Sequence, residues 1–337
     1  MKSKYLDMEL RTSPHLAVGV GVEQIMRNVV YALLPIVAMA VYLFGLSALL
    51  LVVTTLLSAL LAEYVACRLG ARENTLGDYS AAITGILLGL TLPPGFPLWM
   101  AAVGGGASIA LGKTLFGGLG FNVFNPALVG RAFLQAAFPV AITTWSVPLA
   151  AHRFSEIIPS TLTLPFLKAA PDVASGATPL AAFKFEQQLT AGSDLLLGMV
   201  SGSAGETGAA LILLCGVYLA LRKMLDWRIP AGILATVFVL SAAFQWIDPA
   251  YPAPLFMLNS GGLMLGAVFM ATDMVTSPVT PLGVWLFALL VGSLTVVIRL
   301  WGGLPEGIMY AILIGNGLAP VLNLFTQPRV YGTRKPR

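Results

Sequence analysis

The chain has 337 residues, 10% of them charged and 57% hydrophobic, with a mean hydropathy of +0.86. That balance would leave a water-soluble globule without a polar surface, so lipid is the solvent for most of the chain. The formal net charge of +4 comes from Lys and Arg residues clustered at the ends of apolar runs, which marks orientation signals and argues against a nucleic-acid partner.

Before any long apolar run come Lys2, Lys4, Asp7, Glu9 and Arg11, the pattern of a polar tail rather than a cleaved leader. Runs long enough to span a bilayer follow at about 28–45, 47–67, 80–93, 98–116, 125–145, 204–222, 229–247, 255–275, 281–300 and 305–325. The chain therefore reads as an all-α integral membrane protein of about ten transmembrane helices. The third run is short and ends at Pro93-Pro94-Gly95-Phe96-Pro97, a tight turn or half-helix feeding the next span.

Arg68, Arg72, Lys113, Arg222, Lys223 and Arg228 fall in alternate connections, and Arg329, Arg334, Lys335 and Arg337 close the chain. Under the positive-inside rule both termini are cytoplasmic. The expected organisation is a cytoplasmic tail (1–23), a first five-helix half (24–145), a periplasmic loop (146–190), a second five-helix half (191–326) and a cytoplasmic tail (327–337). Five is odd, so a repeat of one half in the other would be inverted in the membrane. A faint internal echo supports such a repeat: Phe121 to Ala127 and Ala271 to Pro278 each break an apolar run near a cytoplasmic edge.

The chemistry available to this chain is narrow. His15 and His152 are the only histidines, while Cys67 and Cys215 sit alone inside apolar runs, which argues against a zinc or haem site. The sequence holds no phosphate-binding lysine loop, no HExxH and no nucleophile elbow. Gly104-Gly105-Gly106 and Gly117-Gly118-Leu119-Gly120 follow no strand and read as close helix packing.

Three stretches remain. In the long connection, Asp172 to Leu180 places Ser175-Gly176-Ala177-Thr178 ahead of Pro179, which from the residues alone is either a hydroxyl attachment point or an ordinary turn. Asn122, Asn125 and Pro126 set amides where a helix cannot continue, as either a ligand's surroundings or a helix cap. Asp273, in Ala271-Thr272-Asp273, either pairs with Arg131 or caps the next helix, and it is the ion-coupling candidate. For Glu63, Glu206 and Glu306 the plainer expectation is capping or interfacial placement.

Ser175-Gly176-Ala177-Thr178 resembles the covalent flavin attachment motif of the membrane subunits of Rnf and sodium-pumping NADH:quinone oxidoreductase complexes, the RnfD/NqrB family. The likeness extends to Gly117 through Ala127, Phe269 through Pro278 and Pro305-Glu306-Gly307, and the short N-terminal tail resembles the RnfD side. The resemblance implies FMN joined through its phosphate to Thr178, with Ser175, Gly176 and Ala177 serving recognition by a flavin transferase. It also implies a non-covalent riboflavin near Asn122 and Asn125, and no catalysis by this chain alone. The implied setting is the bacterial inner membrane beside iron–sulfur and flavin subunits, one of them a periplasmic flavin subunit. The alternatives are an NqrB-like subunit, a secondary transporter or channel for a small solute, and a scaffold without a cofactor.

Overall fold

The computed structural model describes residues 21–70, 75–165, 167, 176–206 and 208–328. Both chain ends and Ser175 lie outside the described residues. Among the described residues the fold is all-helical, without strands.

Helices occupy each expected run, but they are unequal. Five are long and apolar enough to cross a membrane: α1 (Val22–Phe44), α2 (Leu46–Leu69), α10 (Arg228–Ile247), α13 (Pro281–Trp301) and α14 (Ile308–Thr326). Between them α3 (Ser80–Thr91), α4 (Leu98–Gly112), α5 (Pro126–Ala137) and α9 (Ala209–Leu221) are shorter. At 1.5 Å per residue α3 reaches only about 18 Å, well under the ~30 Å of a hydrocarbon core. The expected run at 255–275 is broken into α11 (Pro254–Asn259), α12 (Leu263–Leu265) and a π turn at Gly266–Met270. Short α6 (Pro139–Ile142) follows α5, while α7 (Pro179–Ala181) and α8 (Gly192–Leu197) lie in the long connection and on the approach to α9.

The interior is more polar than the outward faces of the long helices. Leu57, Leu61, Val239 and Leu289 are exposed, whereas Asn28, Glu63, Arg131, Glu206, Arg299 and Asn316 are buried. An apolar exterior around a core containing ionisable groups is the distribution that lipid demands. The helices pack most densely as α2 with α3 and α4, α4 with α5, α10 with α13, and α13 with α14. Contacts of α1 with α9 and of α5 with α14 join these groups, helped by the Tyr218 hydroxyl donating to Asn28 Oδ1 at 3.0 Å.

Small residues set the closest approaches. A Cβ on Gly85 of α3 would lie 2.6 Å from Leu56 Cα of α2, and one on Gly104 of α4 would collide with the side chain of Leu134 on α5. The packing role expected of Gly104 and Gly105 therefore holds. The expectation for Gly117-Gly118-Leu119-Gly120 does not, because Gly117, Gly118 and Gly120 adopt φ of +116°, +113° and +92° in a turn ahead of α5. Glycine is needed there for its backbone freedom.

Lys113 is a second departure from expectation. The charge pattern places it among the orientation signals, yet it is only 2% exposed and donates to Glu63 Oε1 at 2.6 Å and to Ser80 Oγ at 2.7 Å. Glu63 in turn accepts from Thr75, so its expected interfacial placement is replaced by a buried pair bridging α2, α3 and the end of α4.

Replacing Gly85 with Val should destabilise the protein by about 1–3 kcal/mol through overpacking against the α2 backbone. Gly106→Ala, where a Cβ meets nothing within 4 Å, should leave the thermal midpoint in detergent unchanged. Equal midpoints for the two variants would refute the packing assignment.

Candidate cofactor site

Irregular backbone buried between helices needs hydrogen-bond partners from the protein itself. α3 ends at Thr91, and a turn closed by Phe96 N donating to Pro93 O (3.0 Å) leads into α4. The end of α3 meets the break before α9: Ala204 N donates to Leu92 O at 3.0 Å and Gly205 N to Leu90 O at 2.6 Å. Arg131 of α5 completes this junction by donating to Thr91 O and to Glu306 Oε2, the latter at 2.5 Å.

Arg299 of α13 does the same for the next break, donating to Met257 O at 2.5 Å and Ser260 O at 2.8 Å where α11 ends. Gly261 turns the chain there with φ +65°. A Cβ on it would lie 2.8 Å from Leu180 Cδ1 and 3.3 Å from Arg299 Nη2, so the turn is open to glycine alone. Lys184 ties the long connection to this corner by donating to the carbonyls of Arg299 (3.1 Å) and Gly302. Burial lowers its amine below the ordinary lysine value.

At the same corner sits Thr178, buried at 2% exposure and N-capping α7, its Oγ1 accepting from Ala181 N at 3.2 Å. Pro179 at the first helical position fits that cap. Gly176 N donates to Trp145 O at 3.0 Å, and a Cβ on Gly176 would collide with the hydroxyl of Ser201. Gly176 thus lets the segment lie close against Ser201, while Ala177 stays exposed. Thr178 opens onto a cavity of about 380 Å³ whose lining includes Arg131, Gln135, Trp145, Phe185, Glu306 and Tyr310. Aromatic walls with a few convergent polar groups suit a planar, partly charged ligand.

A second cavity lies between Asn122, Asn125, Phe269, Thr272 and Asp273. It brings together the two segments that echo one another in sequence. Asn125 caps α5, accepting from Ala127 N at 3.0 Å and Leu128 N at 3.4 Å, and its amide nitrogen donates to Met270 O at 3.3 Å across the junction. Asn122 Oδ1 is buried without a partner among the described residues, so of the two amides Asn122 is the one open to a ligand. The open volume is about 90 Å³, and Met26, Met224 and Met274 line it; flexible thioether side chains can yield to a larger occupant.

The expected pairing of Asp273 with Arg131 is not formed, because Arg131 is committed to Thr91 and Glu306. Asp273 instead accepts from Val275 N at 3.2 Å in the turn after the π segment. The assembly of Arg131, Arg299, Glu206 and Glu306 is not anticipated by the sequence pattern. The available signal is two arginines inside apolar runs, where an unpaired charge is costly.

Residues 9–332 match the sequence profile of the NQR2, RnfD, RnfE family. The chain belongs to that family. Among its relatives, the protein designated D in the proton-translocating ferredoxin:NAD(+) oxidoreductase complex of Clostridium ljungdahlii is 39% identical, the match covering 97% of this chain and 96% of that one. Its counterpart, also designated D, in the ion-translocating oxidoreductase complex of Stutzerimonas stutzeri is 43% identical over 93% and 92% of the two chains. The one designated D in the Na(+)-translocating ferredoxin:NAD(+) oxidoreductase complex of Acetobacterium woodii is 38% identical over 98% and 97%.

In this NQR2, RnfD, RnfE family member the Arg131–Glu306 pair is open to a double-mutant cycle. Arg131→Met alone should cost about 3–5 kcal/mol, since it leaves the Glu306 carboxylate unpaired, while Arg131→Met with Glu306→Met should recover part of that loss, the remainder reflecting the Thr91 carbonyl left without its donor. Additive losses in denaturant or thermal unfolding would show that the two residues act separately.

Proposed function

We propose that the chain is the RnfD membrane component of an Rnf-type complex, an ion-translocating oxidoreductase, and that it carries electrons through FMN esterified to Thr178. The observation that carries this reading is the placement of Thr178: a hydroxyl-bearing residue in the wall of an aromatic-lined cavity, on a segment that the motif glycine lets lie close against Ser201. The relatives' shared designation as the D component of such complexes supports the Rnf reading over an NqrB-like one.

When bound, the flavin supplies one-electron redox chemistry, which none of this chain's own side chains offers. The chain's part is positioning. Thr178 anchors the phosphate end, Trp145, Phe185 and Tyr310 supply ring surfaces in the cavity, and Arg131 brings a positive charge to its wall. Because the tether is covalent, the cavity can remain open toward a partner without loss of the cofactor. In the second cavity Asn122, with its unpartnered Oδ1, would hold the polar edge of a riboflavin ring.

The remaining features of this reading are topological. The five shorter or broken helical stretches complete ten passes together with the five long helices, arranged as two inverted halves around the 146–190 loop. Both termini then face the cytoplasm of a bacterial inner membrane, and Thr178 faces the periplasm, within reach of a periplasmic flavin subunit and the flavin transferase. Two relatives of nearly equal similarity are named for different ions, protons in one and Na⁺ in the other, so ion choice rests on a few side chains and not on the fold. Asp273 is the coupling candidate beside the second cavity.

After co-expression with its flavin transferase, the denatured chain should fluoresce in a gel, and mass spectrometry should find an FMN-sized adduct on the peptide containing Thr178. Thr178→Ala should abolish both signals. An unmodified peptide in the presence of active transferase would overturn the assignment. Asn122→Leu should cost the purified complex only the flavin released on denaturation, leaving the covalent signal in place; loss of neither flavin would remove Asn122 from that role.

A further inference from the structure

Thr178's cavity shares a wall with a smaller space of about 20 Å³, whose lining includes Thr91, Arg131, Ser203, Glu206 and Glu306. That is room for about one water-sized occupant. The lining is short of hydrogen-bond donors. Among the described residues, Glu206 Oε1 and Glu306 Oε1 are buried with no partner, and so is Ser203 Oγ. Glu206 is 8% exposed and Ser203 1%. The other Glu206 oxygen accepts from Ser203 N at 3.2 Å, and the other Glu306 oxygen accepts from Arg131. Both carboxyl groups line this one small space, and two ionised carboxylates have nothing to donate.

We propose that Glu206 and Glu306 hold one exchangeable proton between them in this small space. A proton converts the pair from two unmatched acceptors into a donor and an acceptor, and leaves Ser203 Oγ free to join the same network. The charged and titratable groups around the pair are Arg131 from α5 and Arg299 from α13, with Lys184 held on the carbonyl of Arg299 and Tyr310 near Arg131. The two guanidinium groups beside the carboxyls disfavour an alkali cation at this position. A proton adds no bulk and brings the missing donor.

With one proton on the pair, the cluster of Arg131, Arg299, Glu206 and Glu306 carries a net charge of +1. This deepens the reading above and one part of it rests on that reading: a phosphodiester on Thr178 would place one negative charge in the adjoining cavity and balance the cluster. Attachment of the cofactor and retention of the proton then favour each other, by the reciprocity of linked binding.

The test is infrared difference spectroscopy during pH titration of the intact complex. The wild type should show the carbonyl stretch of a protonated buried carboxyl, shifted in D₂O and absent from both Glu206→Gln and Glu306→Gln. Absence of the band from the wild type, or its survival in both variants, would overturn the proposal; the first readout stands even where the variants fail to assemble. Loss of the band on raising Na⁺ at constant pH would replace the proton by an alkali cation and overturn it as well. In flavin-free Thr178→Val the band should disappear at a pH lower by about 1 unit or more than in the flavinylated wild type. Equal midpoints would overturn the charge linkage. A wild type that carries no covalent flavin would instead sink the Thr178 reading and leave the band itself as the test of the shared proton.

Discussion

Two arginines aimed at helix ends carry much of this architecture. Inside a bundle, a helix that stops exposes backbone carbonyls that no water reaches, and each needs a donor. Arg131 answers the end of α3 and Arg299 the end of α11, each with a guanidinium that offers several donors in a fixed plane. Bringing two cations into the bundle requires anions nearby. Glu306 and Glu206 are the acidic groups that meet them, and the breaks at 92–97, 202–206, 260–262 and 302–307 accordingly converge on one charged junction.

That convergence places the candidate chemistry. The loop carrying Glu306 and the segment carrying Thr178 meet at the same corner, with Gly261 giving both of them room. Side chains that hold helix ends together therefore double as the wall of the Thr178 cavity. A change of charge in that cavity is felt first by Arg131 and Glu306, and through them by the backbone of α3 and α11. Coupling of this kind needs no long relay, because Arg131 and Glu306 belong both to the wall of the Thr178 cavity and to the structural junction.

Much of this is legible in the sequence, and the limits follow from physics. Apolar run length locates every main helix, since hydropathy and helix length are both local properties. It does not tell a continuous span from α11, α12 and the π turn, because glycine breaks inside an apolar run leave hydropathy unchanged. Thr178 is singled out through the resemblance of its motif, whereas Lys113 is misassigned because a buried lysine and an interfacial one look alike without knowledge of Glu63, 50 positions away. The Arg131–Glu306 pair spans 175 positions, and nothing local announces it. For Asn125 the residues alone allow both capping and ligand binding; the structure gives its side chain to the cap and to Met270, leaving Asn122 with the unsatisfied oxygen.

The local structure of Thr178 also bears on why a threonine can serve as an attachment point without disturbing the fold. Its oxygen acts in the structure as an acceptor, capping Ala181 N, and an N-cap needs a lone pair and not a proton. Esterification removes the hydroxyl proton and keeps the oxygen. Pro179 has already set the first helical φ and lacks an N–H, so the cap serves Ala181 and leaves no donor at Pro179 unanswered. The negative charge of a phosphodiester would fall at the start of α7, on the side where helix N–H groups point. The attachment proposed at this residue would therefore keep the capping oxygen in place, whereas attachment through a hydroxyl that acts as a donor would remove a hydrogen bond.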